Sequence, residues 1–247
     1  MPTLAILPIK NLDHAKQRLS PALDPTPRRA LVEAMFSDTL VALRRAKALP
    51  DVLVVSSDSR AQRIAEGYGA TVIADTDSGH NDAALLGLRR AGELGAERAL
   101  LLPADCPTID PGELDQLARW STPERCVLVV PDRHGTGTNA LLLHPPDAME
   151  PSFGEGSHAR HIGNARAAGI HAETVQLASL ALDLDTRDDL AVIARLLRDE
   201  QDHSYRDPYT WGPNGLDRLI WLRRVRRVQR KVAEHQASMR PAPPIPY

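Results

Sequence analysis

Ala99-Leu100-Leu101-Leu102-Pro103-Ala104-Asp105-Cys106-Pro107 runs an apolar segment straight into a carboxylate. A packed core has no use for an acid there, whereas a ligand site does. Similar apolar or β-branched runs recur at residues 4–9, 52–56, 71–74, 127–131, 139–143 and 173–177. They are continuous rather than alternating, as in strands covered on both faces. Between most of them lie amphipathic segments of helical period, over residues 27–47, 81–94, 113–120, 157–168 and 187–197. In the first of these, Leu31, Met35, Leu40 and Leu43 fall near one stripe, behind Pro27 at the entry, where its missing N–H costs little. This β/α alternation with short links predicts an α/β fold: an open, mostly parallel sheet flanked by helices, with right-handed crossovers. Such sheets bind ligands beyond the carboxyl ends of their strands, where the strand order reverses.

Composition narrows the function. The chain has 247 residues, 43% of them hydrophobic and 25% charged, as in a soluble globular protein. No apolar run reaches the roughly 20 residues of a membrane helix. The opening MPTLAILPIK reads as a first strand rather than an export signal, so a cytoplasmic protein is expected. Cys106 and Cys126 are too few for a disulfide framework or a four-ligand zinc site. A net charge of −2 and 4% aromatics argue against nucleic acid as the main partner.

Three constellations carry chemistry. Lys10, Lys16 and Arg18 fall in the loop after the first strand and suit a polyphosphate held by side-chain charge, without a Walker or dinucleotide glycine pattern. Asp105 follows the central apolar run, and Asp183 and Asp185 stand at i and i+2, on one side of an extended chain. Three such acids suit magnesium, which takes carboxylate oxygens and retains waters. Asp185 also reads as an N-cap for the segment after it. The third constellation joins Asp132-Arg133-His134-Gly135-Thr136-Gly137-Thr138-Asn139 to Phe153-Gly154-Glu155-Gly156-Ser157-His158-Ala159-Arg160-His161. These are two glycine-bearing loops, the second entering a helix whose first amides attract an anion. Arg133, Thr138, Gly154, Ser157 and Arg160 would suit a small molecule with phosphate and carboxylate groups. His158 and His161, at i and i+3, lack the remaining ligands of a zinc site.

These segments, with Leu7-Pro8-Ile9-Lys10, Ala15-Lys16-Gln17-Arg18-Leu19, Ala104-Asp105-Cys106-Pro107 and Leu182-Asp183-Leu184-Asp185-Thr186, resemble the CofC/FbiD family of guanylyltransferases in coenzyme F420 biosynthesis. The resemblance covers about residues 3–198. It implies a MobA-like nucleotidyltransferase fold and transfer of GMP from GTP to phosphoenolpyruvate, 2-phospho-L-lactate or 3-phospho-D-glycerate, with release of pyrophosphate. It implies that Asp105, Asp183 and Asp185 hold two magnesium ions and that Thr138, Gly154 and Ser157 meet the acceptor. Lys10, Lys16 and Arg18 would face the GTP phosphates, and the segment 78–85, with Asn81, would line the base. The family commonly has Leu where this chain has His80. Molybdopterin and sugar-phosphate nucleotidyltransferases open with a glycine-rich loop after the first strand; here Pro8-Ile9-Lys10-Asn11 stands instead. A non-catalytic nucleotide-binding protein is the other alternative, against which all three acids are present.

The nucleotidyltransferase domain is expected over residues 1–199 and a C-terminal extension over 200–247. The extension holds nine Lys and Arg against five Asp and Glu. Leu216, Leu219, Ile220, Val225, Val228 and Val232 give it the spacing of a basic amphipathic helix, before a Pro-rich end. Three readings stand for it: an arm packed on its own body or across a homodimer, a dock for the next enzyme of the F420 pathway, or contact with an anionic membrane or nucleic acid.

Overall fold

The computed structural model describes residues 3–76, 79–121 and 123–193. The expected domain boundary at 199 and the basic extension lie outside the described residues. The chain divides into two compact units: Met1–Ala15 with Met35–Leu184, and Lys16–Ala34 with the residues from Asp185 on.

The first unit is built on seven strands: β1 (Thr3–Ile9), β2 (Asp51–Ser56), β3 (Thr71–Ala74), β4 (Arg98–Leu101), β5 (Cys126–Pro131), β6 (Thr138–His144) and β7 (His171–Thr174). They lie in the order β3-β2-β1-β4-β6-β5-β7. The sheet is mixed. β1 pairs in parallel with β2 and β4, and β5 with β7, but β6 is antiparallel to both of its neighbours. The sheet reverses direction of growth at β1, which lies between β2 and β4, so the switch point is the crevice between β1 and β4.

Every residue of β1, β4 and β5 is buried, as the continuous apolar runs predict. On one face, Leu4, Ile6, Leu53, Val55, Leu101, Val129 and Leu141 pack with Ala83, Ala84 and Leu88 of the helix α3 (His80–Glu93). Ala165 of α5 (Ser157–Ala167) joins the same core. Labels α1, α2 and α4 go to Pro25–Arg45, Ser59–Gly67 and Pro111–Ala118.

Two expectations shift. Helix α2 has no counterpart in the apolar pattern, because it fully buries only Ala61 and Ala65. Its signal is the cap: Asp58 accepts hydrogen bonds from the N–H groups of Arg60 and Ala61. Strand β7 covers His171–Thr174 rather than 173–177, since it is the edge partner of β5 and an edge strand tolerates polar residues. Val175 and Leu177, which drew the expectation, are buried beyond it.

Helix α3 rides close on the sheet at Gly87. A Cβ there would stand 2.5 Å from Ile6 Cγ2 and 3.2 Å from Val55 Cγ2. Gly87→Val is expected to destabilise the protein by about 2 kcal/mol or more through overpacking, read as a lowered midpoint in urea denaturation.

Candidate active site

The carboxyl ends of β1 and β4 open at the switch point. Lys10 follows β1 directly and is exposed. Its loop is anchored by Asp58, which accepts the Leu12 N–H at 2.9 Å. Burial pushes the Asp58 carboxyl up, but the N–H groups of Leu12, Ala61 and Arg60 outweigh it and leave the pKa lowered. Beyond β4, the Leu102 N–H still bonds to the Ile6 carbonyl before the chain reaches Asp105, which is half-buried. His80, at the start of α3, feels both groups. Burial pushes its imidazole down, the Lys10 ammonium adds to this, and the Asp105 carboxylate opposes it.

Asp183 enters from a distant part of the chain. Buried Leu182 and Leu184 flank it, and the Leu184 N–H donates to the Asp105 carbonyl at 3.1 Å. Buried Asn139 of β6 donates from Nδ2 to the Leu180 carbonyl at 2.6 Å and to Asp183 Oδ1 at 3.5 Å. Thus the two acidic segments are tied to neighbouring strands. Their oxygen-only donors fit magnesium, which is commonly held by one or two carboxylates with the rest of its shell from water and phosphate. Among the described residues, no group of three or more His, Cys, Asp and Glu is gathered into a ready metal cage.

Lys16, Arg18 and Asp185 belong to the second unit. Lys16 has a left-handed backbone, φ 54°, and its ammonium lies 2.5 Å from Asp185 Oδ1. Few non-glycine residues adopt that conformation. Arg18 is exposed in a 3-10 turn, Gln17–Leu19. Asp185 is not the N-cap of the helical segment that begins at 187. Thr186 caps it: its hydroxyl accepts the Asp189 N–H at 3.3 Å, and Asp189 Oδ2 accepts the Thr186 N–H at 2.6 Å.

The two glycine-bearing loops are both in the first unit. Because β6 is antiparallel, its first residue, Thr138, comes to the same edge as the ends of β4 and β5. Asp132 Oδ1 gathers the N–H groups of His134 and Thr136, and a Cβ at Gly137 would meet Asp132 Oδ2 at 2.7 Å. Arg133 is exposed, its Nε 3.1 Å from His134 Nε2. At α5, the Ser157 hydroxyl donates to Thr138 Oγ1 at 3.1 Å, and His161 Nδ1 lies 3.0 Å from that oxygen. On the other side of the ring, the Ser152 N–H donates to His161 Nε2 at 2.9 Å.

The loop before α5 is held in shape. Gly154 and Gly156 both have positive φ, 121° and 67°, which a side chain would strain. Arg160 donates to the Ser152 and Glu155 carbonyls. Asn81 uses both ends of its amide on Phe153, accepting its N–H at 2.7 Å and donating to its carbonyl at 3.3 Å. The Phe153 ring is edge-on to both His80 and His161, with centroids 5.0 and 5.2 Å away.

Thr138 and Ser157 are therefore brought together, with Gly154 in the adjoining loop and Arg160 in the first turn of α5. Lys10 and Asp105 share the switch point. Asn81 and Arg160, expected to meet ligand, have amide and guanidinium contacts that shape the loop. Sequence reasoning missed Asn139, Phe153 and above all His161. Its ring is fully buried, and nothing in the spacing of His158 and His161 shows that they part: His158 turns to the Thr174 hydroxyl.

A family model described as guanylyl transferase CofC like matches residues 3–206. The chain belongs to the CofC family. It is 50% identical over 199 residues to the phosphoenolpyruvate guanylyltransferase of Conexibacter woesei, covering 80% of this chain and 89% of that one. It is 33% identical over 207 residues to the 2-phospho-L-lactate guanylyltransferase of Methanothermobacter thermautotrophicus, covering 83% and 88%. In fold it is similar to a putative nucleotide-diphospho-sugar transferase from Desulfovibrio desulfuricans, with a TM-score of 0.66, 15% identity and coverage of 94% and 98%. This CofC-family chain is a nucleotidyltransferase, with the mixed sheet and flanking helices expected of that fold. No helix among its described residues is long and apolar enough to cross a membrane.

Burial pushes the His161 imidazole from its ordinary 6.5 down to about 4, with the charges of Arg160 and His158 adding to the shift. The unfolded chain binds this proton more readily than the folded one. The stability from keeping the ring neutral is thus complete above about pH 6.5 and is lost as pH falls toward about 4. His161→Gln is expected to flatten that part of the stability profile, measured by urea midpoints at successive pH values.

Proposed function

We propose that this protein transfers GMP from GTP to a three-carbon phospho-acid, with phosphoenolpyruvate the favoured acceptor, in the biosynthesis of coenzyme F420. The carrying observation is that neighbouring strands β4 and β6 bring Asp105 and Thr138 to one edge of the sheet. Lys10 stands beyond the adjacent β1. An acidic and cationic centre thus adjoins a hydroxyl-lined loop.

The acceptor's phosphate has a second pKa near 6, so at neutral pH it is mostly a ready nucleophile and needs no base to remove a proton. One of its oxygens attacks the α-phosphorus of GTP. A new P–O bond forms, the bond from that phosphorus to the bridging oxygen breaks, and pyrophosphate leaves with that oxygen. The obstacle is repulsion between two anions. The remedy is positioning and fixed charge rather than a Ser/His pair.

In this reading Lys10 faces the triphosphate, the task that family resemblance also assigns to Lys16 and Arg18. Thr138, Gly154 and Ser157 receive the acceptor, with Arg133 and Arg160 beside them, and Asn81 holds the loop that borders the nucleotide. Asp105 and Asp183 would hold magnesium, which supplies charge neutralisation to the phosphates when bound. Family resemblance assigns Asp185 to the same task; in the structure its carboxylate takes the Lys16 ammonium. The guanine preference and the choice of phosphoenolpyruvate are supported by the relatives' names, including that of Conexibacter woesei.

Pyrophosphate release, with magnesium and GTP, is the test. Phosphoenolpyruvate, 2-phospho-L-lactate and 3-phospho-D-glycerate are supplied separately, with CTP and ATP as controls. Release with GTP and phosphoenolpyruvate is expected; silence with all three acceptors would sink the assignment. Asp105→Asn and Asp183→Asn are each expected to lower kcat by about 100-fold or more while circular dichroism shows a folded chain.

A further inference from the structure

The hydrogen bonds around His161 leave its ring one protonation state. Nε2 accepts the Ser152 N–H, a donor that cannot turn around, so Nε2 carries no hydrogen. In the neutral ring the proton then sits on Nδ1, 3.0 Å from Thr138 Oγ1, and is donated to it. An imidazolium would set two N–H groups against each other at Ser152, and the fully buried ring has no solvent to turn to.

This has a consequence at Thr138. A threonine oxygen has two lone pairs and one hydrogen. One lone pair takes the His161 Nδ1–H, and the Thr138 and Ser157 hydroxyls, 3.1 Å apart, share one hydrogen between them. Of their two hydrogens, one is left over, and of the two residues Ser157 is buried while Thr138 is only half-buried at the sheet edge.

We propose that His161 is a positioning residue of the acceptor site: as a neutral imidazole protonated on Nδ1, it fills an acceptor lone pair of Thr138 Oγ1 and leaves the paired Thr138 and Ser157 hydroxyls one hydrogen to donate to an anionic oxygen of the phospho-acid. The inference rests on the reading that Thr138 meets the acceptor. A carboxylate or phosphate oxygen, which accepts and does not donate, is the matching partner. Burial and the charges on Arg160 and His158 hold the ring neutral, with its pKa at about 4, so the arrangement persists through the physiological range. These are the charged or titratable groups acting on it; Thr138, Ser152 and Phe153, which touch it from the other elements, are neutral.

The test combines kinetics with NMR on the full chain, using GTP, magnesium and phosphoenolpyruvate. Nitrogen-15 imidazole spectra should show His161 as the Nδ1–H tautomer, with no titration between about pH 5.5 and 8. Thr138→Val should raise the KM for phosphoenolpyruvate about tenfold and leave that for GTP unchanged. His161→Gln keeps an acceptor for Ser152 but loses the donor to Thr138, and should do the same. Adding it to Thr138→Val should cost nothing more, because the hydroxyl it orients is gone. His161→Asn, which keeps a donor near the Nδ1 position, should fall closer to the wild type than His161→Gln.

An Nε2–H or titrating imidazole in the wild-type spectrum would overturn the inference, and this readout needs no folded variant. Multiplicative effects of the two substitutions would overturn it as well, by making them independent. An unchanged KM for phosphoenolpyruvate in Thr138→Val, with the Nδ1–H tautomer still present, would instead remove Thr138 from the acceptor site and bring the inference down with it.

Discussion

Strands buried on both faces leave a sheet very few places for a charge. Each residue of β1, β4 and β5 is withdrawn from solvent, and a carboxylate or ammonium within them would forfeit its hydration without a partner. Lys10 therefore stands directly after Ile9, and Asp105 past the last ladder position of β4, at Leu101, and the Leu102 contact that follows it. The antiparallel β6 adds the beginning of a strand to that edge, and so brings Thr138 level with groups that follow the ends of others. Everything proposed for this protein depends on that edge.

Around it, polar side chains divide between holding and handling. Asn81, Asn139, Asp58 and Arg160 spend their hydrogen bonds on backbone groups of loops that would otherwise have no regular structure. Each such bond is worth little alone, about 1 kcal/mol net. Their value here is geometric. They fix the Lys10 loop, the Asp183 segment and the loop before α5 without adding a helix or strand to any of them.

The two histidines of the site, His80 and His161, are both pushed toward the neutral form, principally by burial. A reaction whose nucleophile is already an anion has no call for a general base, and neutral rings beside Phe153 suit walls and tethers better than proton carriers. Relatives named for phosphoenolpyruvate and for 2-phospho-L-lactate both align along about four-fifths of the chain. The acceptors share two anionic groups and differ by a few atoms, so discrimination among them is a matter of one or two contacts. His80 borders the same loop through Phe153.

The strands were legible from sequence because a β-strand buried on both faces demands an unbroken apolar run, and such a run is visible without coordinates. Asp105 was legible for the same reason, as a charge at the point where the run stops. Helix α2 was not, since two alanines are all that it buries fully, and β7 was displaced because the ladder of an edge strand tolerates polar residues. The roles of Asn81, Asn139 and His161 were decided by tertiary structure alone. Their partners, Phe153, Asp183 and Ser152, lie 72, 44 and 9 residues away. A hydrogen bond is a relation between two directed groups, and sequence records the groups but not their directions. Sequence determined which residues stay dry and where charge must emerge; only the packed chain decided which polar groups meet there, and so which nitrogen of His161 carries the proton.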